Sequence, residues 1–392
     1  MFKWLLTVMM ATSLLACSSH VTKPAEQFRI GAELDGLYLP MLEGKRVGLI
    51  VNQTSMVGEQ HLVDLLLQKG VKVQRIFAPE HGFRGDHDAG AKVDSSIDAK
   101  TGIPLYSIYG KTRKPEPEAL ADLDIILFDI QDVGVRYYTY ISSMHYMMEA
   151  AAEAGLPFMV LDRPNPNGDY VDGPMLEPEF RSFVGMHEIP LVHGLTVGEL
   201  AHMIIGEGWL NTDKTLSLTV IPMQGYRHDM RYELPVRPSP NLPNYVSIRH
   251  YPSLGFFEPT PVSIGRGTDF PFQVIGHESL YVSADSPFSF KPRSIPGAST
   301  HPKFEDVEIQ GVDLRNFEAK GLDMSYLVNW HHKFAAAGEE FFTNPGFMDK
   351  LAGTDKLRLA LAEGLSEAEI RAQWQPALQD YLKMRQDYLL YP

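Results

Sequence analysis

Five short apolar runs alternate with helical patterns between residues 46 and 223, and this alternation restricts the fold more than any other feature of the chain. The runs are RVGLIVNQ, VKVQRIFAPE, DIILFDIQD, PFMVLDRP and LSLTVIPM. DIILFDIQD is wholly apolar before its acids, as a strand covered on both faces must be. EQHLVDLLLQKG reads as a helix closed by Gly70, YISSMHYMMEAAAEAG as one ending at Gly155, and TVGELAHMIIGEG as one capped by Thr196. Strands that alternate with helices predict an α/β fold: a Rossmann-like, doubly wound parallel sheet. PVRPSPNLPNY, near 235–245, is too rich in proline for a helix interior or a central strand. A boundary placed there gives a sheet domain over 31–240 and a smaller C-terminal α/β domain over 241–392. The latter ends in a long helix whose Trp374, Leu378, Tyr381 and Leu382 form a packing stripe.

Ligands of open parallel sheets bind beyond the carboxyl ends of the strands. The residues at those ends are Asn52, then Glu80 and His81, then Asp129, Gln131 and Asp132, then Asp162 and Arg163. Polar groups at four of the five strand ends favour a functional edge over simple solvation. Glu80 stands in FAPEHGFRGDHDAG, where Pro79 stiffens the exit from the strand and Gly82 and Gly85 let the loop fold back. Its carboxylate suits a metal ligand, a catalytic acid or a solvated turn. The histidines and aspartates that follow could form a metal site, but H-E-x-x-H is absent, and no metal or cofactor is expected. GVRYYTYI sets Tyr137, Tyr138 and Tyr140 beside Arg136, as sugar-stacking rings or as core.

Several classes are excluded. A net charge of −14 opposes nucleic-acid binding, and no G-x-G-x-x-G follows a strand, so no dinucleotide site is supported. G-x-S-x-G is absent too. The single cysteine, Cys17, ends the apolar leader MFKWLLTVMMATSLLAC. LLAC resembles a bacterial lipobox, which implies a signal peptide over 1–17, lipidation at Cys17 and a tether over 18–30. The mature chain then has no thiol for a disulfide, a zinc–thiolate site or a nucleophile. Ser18 after the cysteine points to the periplasmic side of the outer membrane, by resemblance to enterobacterial sorting.

Read together, NQTS, APEHGFRG, FDIQDVGVRYYTYI, LDRPNPNG, HGLTVGELA, RPSPNLP, GRGTDFPF and YLLYP resemble the exo-β-N-acetylmuramidase family of peptidoglycan recycling. The resemblance runs from about Gly31 to the C-terminus. It implies a Rossmann-like domain joined to a smaller one, with the site in the cleft between them, and release of N-acetylmuramic acid from non-reducing ends of glycan fragments. It assigns Glu80 as general acid/base. Asp129, a neighbouring carboxylate at the same edge, is the second catalytic candidate, and Asn165, His193 and Asn241 join the substrate-binding candidates. Pro259, where a glycine is expected, departs from the pattern. A lactyl carboxylate calls for an arginine fork, drawn from Arg84, Arg136 and Arg163, with Arg163 or Arg84 favoured. Failing those, the reader would be Arg266 or backbone amides of the second domain. The alternatives are a cell-wall glycan-binding lipoprotein without turnover and a metal-dependent hydrolase of cell-wall fragments.

Overall fold

The computed structural model describes residues 27–80, 83, 96–110, 113–278 and 288–392. Its main sheet has seven strands: β1 (Arg46–Val51), β2 (Lys72–Ala78), β3 (Ser96–Ile97), β4 (Pro104–Ser107), β5 (Ile125–Asp129), β6 (Phe158–Leu161) and β7 (Leu218–Ile221). Their order is β7-β6-β5-β1-β2-β4-β3, parallel except for β3 at the edge. The chain runs outward from β1 to β2 and β4, then restarts beside β1 with β5. The topological switch point of this doubly wound sheet therefore lies between β1 and β5. The apolar runs account for five of these strands. They miss β3 and β4, which are short, begin or pair at Pro104, and are only partly covered.

Strand side chains alternate between two cores. Leu49, Leu127 and Met159 pack beneath α1 (Asp35–Leu42) and α2 (Leu62–Gln68). Ile50, Phe128 and Val160 face α3 (Tyr140–Ala154) and α4 (Val197–Gly206). Thr196 caps α4 reciprocally with Glu199, and Gly155 closes α3 at φ +67°, both where the sequence places them.

After α5 (Tyr245–Leu254) comes a small antiparallel sheet of β8 (Val274–His277), β9 (Ser289–Phe290) and β10 (Ile309–Asp313). Helices α6 (Ser325–Ala337), α7 (Pro345–Ala352), α8 (Lys356–Ala362) and α9 (Glu367–Arg385) complete the chain. From α9, Ile370, Trp374, Leu378 and Tyr381 are buried, with Leu382 at the margin of the stripe. One apolar cluster joins Phe128 and Met144 to Phe256, Leu327 and Trp374, so the C-terminal part shares its core with the α3 face of the sheet. The last residues are anchored: the Tyr391 hydroxyl donates to Asp162 Oδ2 at 2.5 Å and accepts from Met223 N. Among the described residues, no helix is long and apolar enough to cross a membrane.

Candidate active site

Two residues beyond β2, Glu80 lines a recess. Tyr137 to Tyr140 line it from the stretch leading into α3. Ser239, Asn241, Leu242, Tyr251, Arg266 and Phe272 form the opposing wall. Thr139 Oγ1 donates to Glu80 Oε2 at 3.1 Å, and the Tyr140 hydroxyl lies 3.4 Å from the Glu80 carbonyl. The Tyr109 hydroxyl also bonds to the Glu80 carboxylate. Burial and that negative neighbour hold the Tyr109 phenol well above its usual range. The rings pack edge to face, Tyr138 on Tyr140 at 4.9 Å, Tyr137 on Tyr251 at 5.1 Å and Tyr251 on Phe272 at 5.0 Å. Tyr137 and Tyr138 donate to the carbonyls of Tyr251 and Pro238, so these hydroxyls join the two walls.

Arg266 supplies positive charge. Its Nε and Nη2 donate to Glu258 Oε1 at 2.8 and 2.6 Å, and its guanidinium lies 5.1 Å from the Phe272 ring centre. Glu258 is fixed in turn by Lys303, whose ammonium donates to the carbonyls of Phe257, Glu258 and Val262. Burial lowers Lys303 to about 8.

Of the candidate residues, Glu80, Tyr137, Tyr140 and Asn241 line the recess. Asn241 reaches it while its Nδ2 donates to the Ala298 carbonyl. His81 and Arg84 lie outside the described residues. The others form a buried polar layer behind the recess. Asp129 follows Phe128 in β5, and alternation turns it towards the α1 face, where its negative charge is felt by Tyr38. Both its oxygens accept from Arg163, at 2.5 and 2.9 Å, and both residues are buried. Arg163 also donates to the Met56 carbonyl. Asp129, expected as a catalytic carboxylate, and Arg163, expected to read the lactyl carboxylate, are thus engaged with each other as a buried ion pair.

Arg136, another candidate for the carboxylate fork, is also engaged elsewhere. It is completely buried, and its terminal nitrogens donate to the carbonyls of Pro174, Ile189, Leu351 and Ala352. Burial without a carboxylate partner pushes it down to about 9. Gly353 permits this approach, since at φ +76° a β-carbon would stand 2.6 Å from Arg136 Nη2.

At the switch point the polar side chains bond largely to one another and to backbone. Asn52 Oδ1 accepts from Thr54 N and Oγ1, Ser55 Oγ donates to the Asp129 carbonyl, and Gln131 N donates to Thr54 Oγ1. Gln131 Nε2 donates to the carbonyls of Asp132 and Pro164. Asp162 accepts from Thr196, Gly198 and Tyr391, capping α4 and holding the C-terminus. Asn165 bridges Asn167 N and the Leu195 carbonyl. Asp132 accepts from Gly134 N and faces buried His193 at 3.7 Å. The recess that holds Glu80 therefore lies away from the switch point, towards β2 and the C-terminal wall.

Sequence reasoning missed Tyr109, Thr139, Ser239, Tyr251, Glu258 and Phe272. Thr139 carried a signal, since it interrupts the tyrosines of GVRYYTYI where the chain turns past β2. Among the described residues, no group of three or more histidine, cysteine or acidic side chains could hold a metal ion.

Comparison with known proteins adds identity to this geometry. Residues 47–246 match the profile of the N-terminal part of exo-beta-N-acetylmuramidase NamZ, and 249–391 match that of its C-terminal part. The chain is 40% identical to peptidoglycan beta-N-acetylmuramidase NamZ of Bacillus subtilis, over 100% of this chain and 99% of that protein. Two crystal structures of DUF1343 family proteins from Bacteroides fragilis superpose with TM-scores of 0.85 and 0.80, at 44% and 31% identity. Each alignment covers 93% of this chain and 99% of the other. A match that spans the sheet, the recess and the C-terminal wall together has one meaning: the chain belongs to the exo-β-N-acetylmuramidase NamZ family.

Proposed function

We propose that this protein is a glycoside hydrolase that removes N-acetylmuramic acid from the non-reducing ends of peptidoglycan fragments, with Glu80 as general acid/base. The observation that carries this reading is the Glu80 carboxyl at the carboxyl end of β2, facing a tyrosine-walled recess and oriented by Thr139. In the glycosidic step, the Glu80 proton passes to the bridging oxygen as the C1–O bond breaks, so the departing sugar leaves as a neutral alcohol. Glu80 then takes a proton from the water that attacks C1. Tyr137, Tyr138 and Tyr140 line one side of the recess, and Ser239 and Asn241 line the opposite side with polar groups.

A chromogenic β-N-acetylmuraminide tests this directly. Wild-type protein should release the chromophore with or without EDTA. Glu80→Gln should stay folded and lose at least about two orders of magnitude in rate. A Gln variant at near wild-type rate would remove Glu80 from the chemistry, and loss of wild-type activity on chelation would favour a metal-dependent hydrolase.

We also propose export and lipid anchoring on the periplasmic side of the outer membrane. The support is LLAC at the end of an apolar leader, in a chain whose one cysteine is Cys17. Cys17→Ser should release the protein from the membrane fraction and abolish incorporation of labelled palmitate. Unchanged fractionation and labelling would refute the anchor.

A further inference from the structure

We propose that Arg266 recognises the lactyl carboxylate of the muramic acid ring, so that the C-terminal wall sets the sugar selectivity. This rests on the muramidase reading and adds the residue that distinguishes N-acetylmuramic acid from a sugar without the lactyl group. Among the described residues, Arg266 is the one cationic side chain lining the recess that holds Glu80. The two arginines of the sheet edge are already engaged, Arg163 with Asp129 and Arg136 with four carbonyls.

The geometry of Arg266 suits the task. A guanidinium has five N–H donors. Glu258 takes the Nε–Nη2 edge through one oxygen, Oε1. One hydrogen of Nη1 and the second of Nη2 form the end-on edge, the fork that accepts a carboxylate. The Arg266 side chain is 28% exposed and lines the recess. Its guanidinium lies over the Phe272 ring. Phe272 is held in the left-handed region at φ +56°, where bulky residues are uncommon, while its N–H donates to the Ile264 carbonyl at 2.7 Å. Lys303 pins the backbone that carries Glu258. Arg266 also feels the Glu80 charge across the recess. The proton donor and the fork thus face one bound ring, which carries its scissile bond at C1 and its lactyl ether at O3.

The test compares a chromogenic β-N-acetylmuraminide with its lactyl amide, which has the same shape without the charge. Wild-type protein should prefer the acid, and Arg266→Met should lower the acid-to-amide ratio of kcat/KM about ten- to hundredfold. Arg266→Lys, which keeps the charge opposite Glu258 but not the fork, should fall between them and carries the test if the Met variant does not fold. An unchanged ratio in a folded Arg266 variant overturns the proposal, as does a collapse of selectivity in Arg84→Met instead. Calorimetric binding of free N-acetylmuramic acid and its amide to wild-type protein separates this from the catalytic reading. Equal affinities overturn the Arg266 assignment whatever the turnover. Selective binding that Arg266→Met abolishes, without hydrolysis, supports Arg266 and strikes the hydrolase reading.

Discussion

Replacing Asp129 with asparagine should unfold the protein more readily without disabling its chemistry. Asp129 is fully buried and Arg163 nearly so, and both carboxylate oxygens are taken up by the guanidinium. The substitution would remove the charge and turn an amide towards a nitrogen that is itself a donor. Removing one partner of a buried ion pair costs about 3–5 kcal/mol, because the surviving charge stays desolvated. Against a net stability of about 5–15 kcal/mol, that is a large fraction of the whole. Urea unfolding followed by tryptophan fluorescence measures the loss. Turnover on the muraminide, measured in urea-free buffer at a temperature where the variant is still folded, should fall less than about tenfold, against the hundredfold or more expected for a missing acid. Joint replacement, Asp129→Leu with Arg163→Met, removes both charges and should recover part of the stability. A variant as stable as wild type but inactive would refute the structural role and return Asp129 to the mechanism.

Two further outcomes follow from the buried layer. Burial raises Asp162 to about 6 from 3.8, so its folded form holds a proton more tightly than the unfolded chain does. Its contribution is full below about pH 4 and is lost as pH rises through 6; over that span, the stability of wild type relative to Asp162→Asn should fall by about 3 kcal/mol. Parallel unfolding curves from pH 4 to 7 would refute this. Arg136→Met deprives four buried carbonyls of their donor, at about 1–3 kcal/mol each, and should yield little soluble protein. Normal yield with lost acid-over-amide selectivity would instead make Arg136 the carboxylate reader.

The sequence discloses those parts of the molecule whose causes are local. Thr196 and Glu199 mark the start of α4 three residues apart, and Gly155 marks the end of α3, because caps depend on near neighbours. Glu80 stands out because proline and glycine bracket it at a strand exit. What stays hidden depends on partners distant in sequence. Asp129 and Glu80 look equivalent as strand-end acids, yet pleating sends Asp129 to the α1 face and into Arg163. The tyrosines beside Arg136 suggest a sugar platform, but nothing near them in sequence shows that the arginine meets carbonyls more than 200 residues away at Leu351 and Ala352. Tyr109, Tyr251 and Arg266 converge on Glu80 from three separate stretches, and only the folded chain brings them there.

The shared core beneath the recess decides how this enzyme can be re-engineered. The acid comes from β2, whereas Ser239, Asn241, Arg266 and Phe272 come from the stretch that follows the sheet. Side chains of that wall can be exchanged singly to suit another sugar while the donor stays in place. Exchanging whole halves with a relative is different. Phe128, Met144, Phe256, Leu327 and Trp374 interlock in one cluster, and two halves shaped by different histories would meet across mismatched packing. Libraries confined to the recess-lining positions Ser239, Asn241 and Arg266 should therefore retain folded protein, while chimaeras joined near residue 245 should mostly lose it.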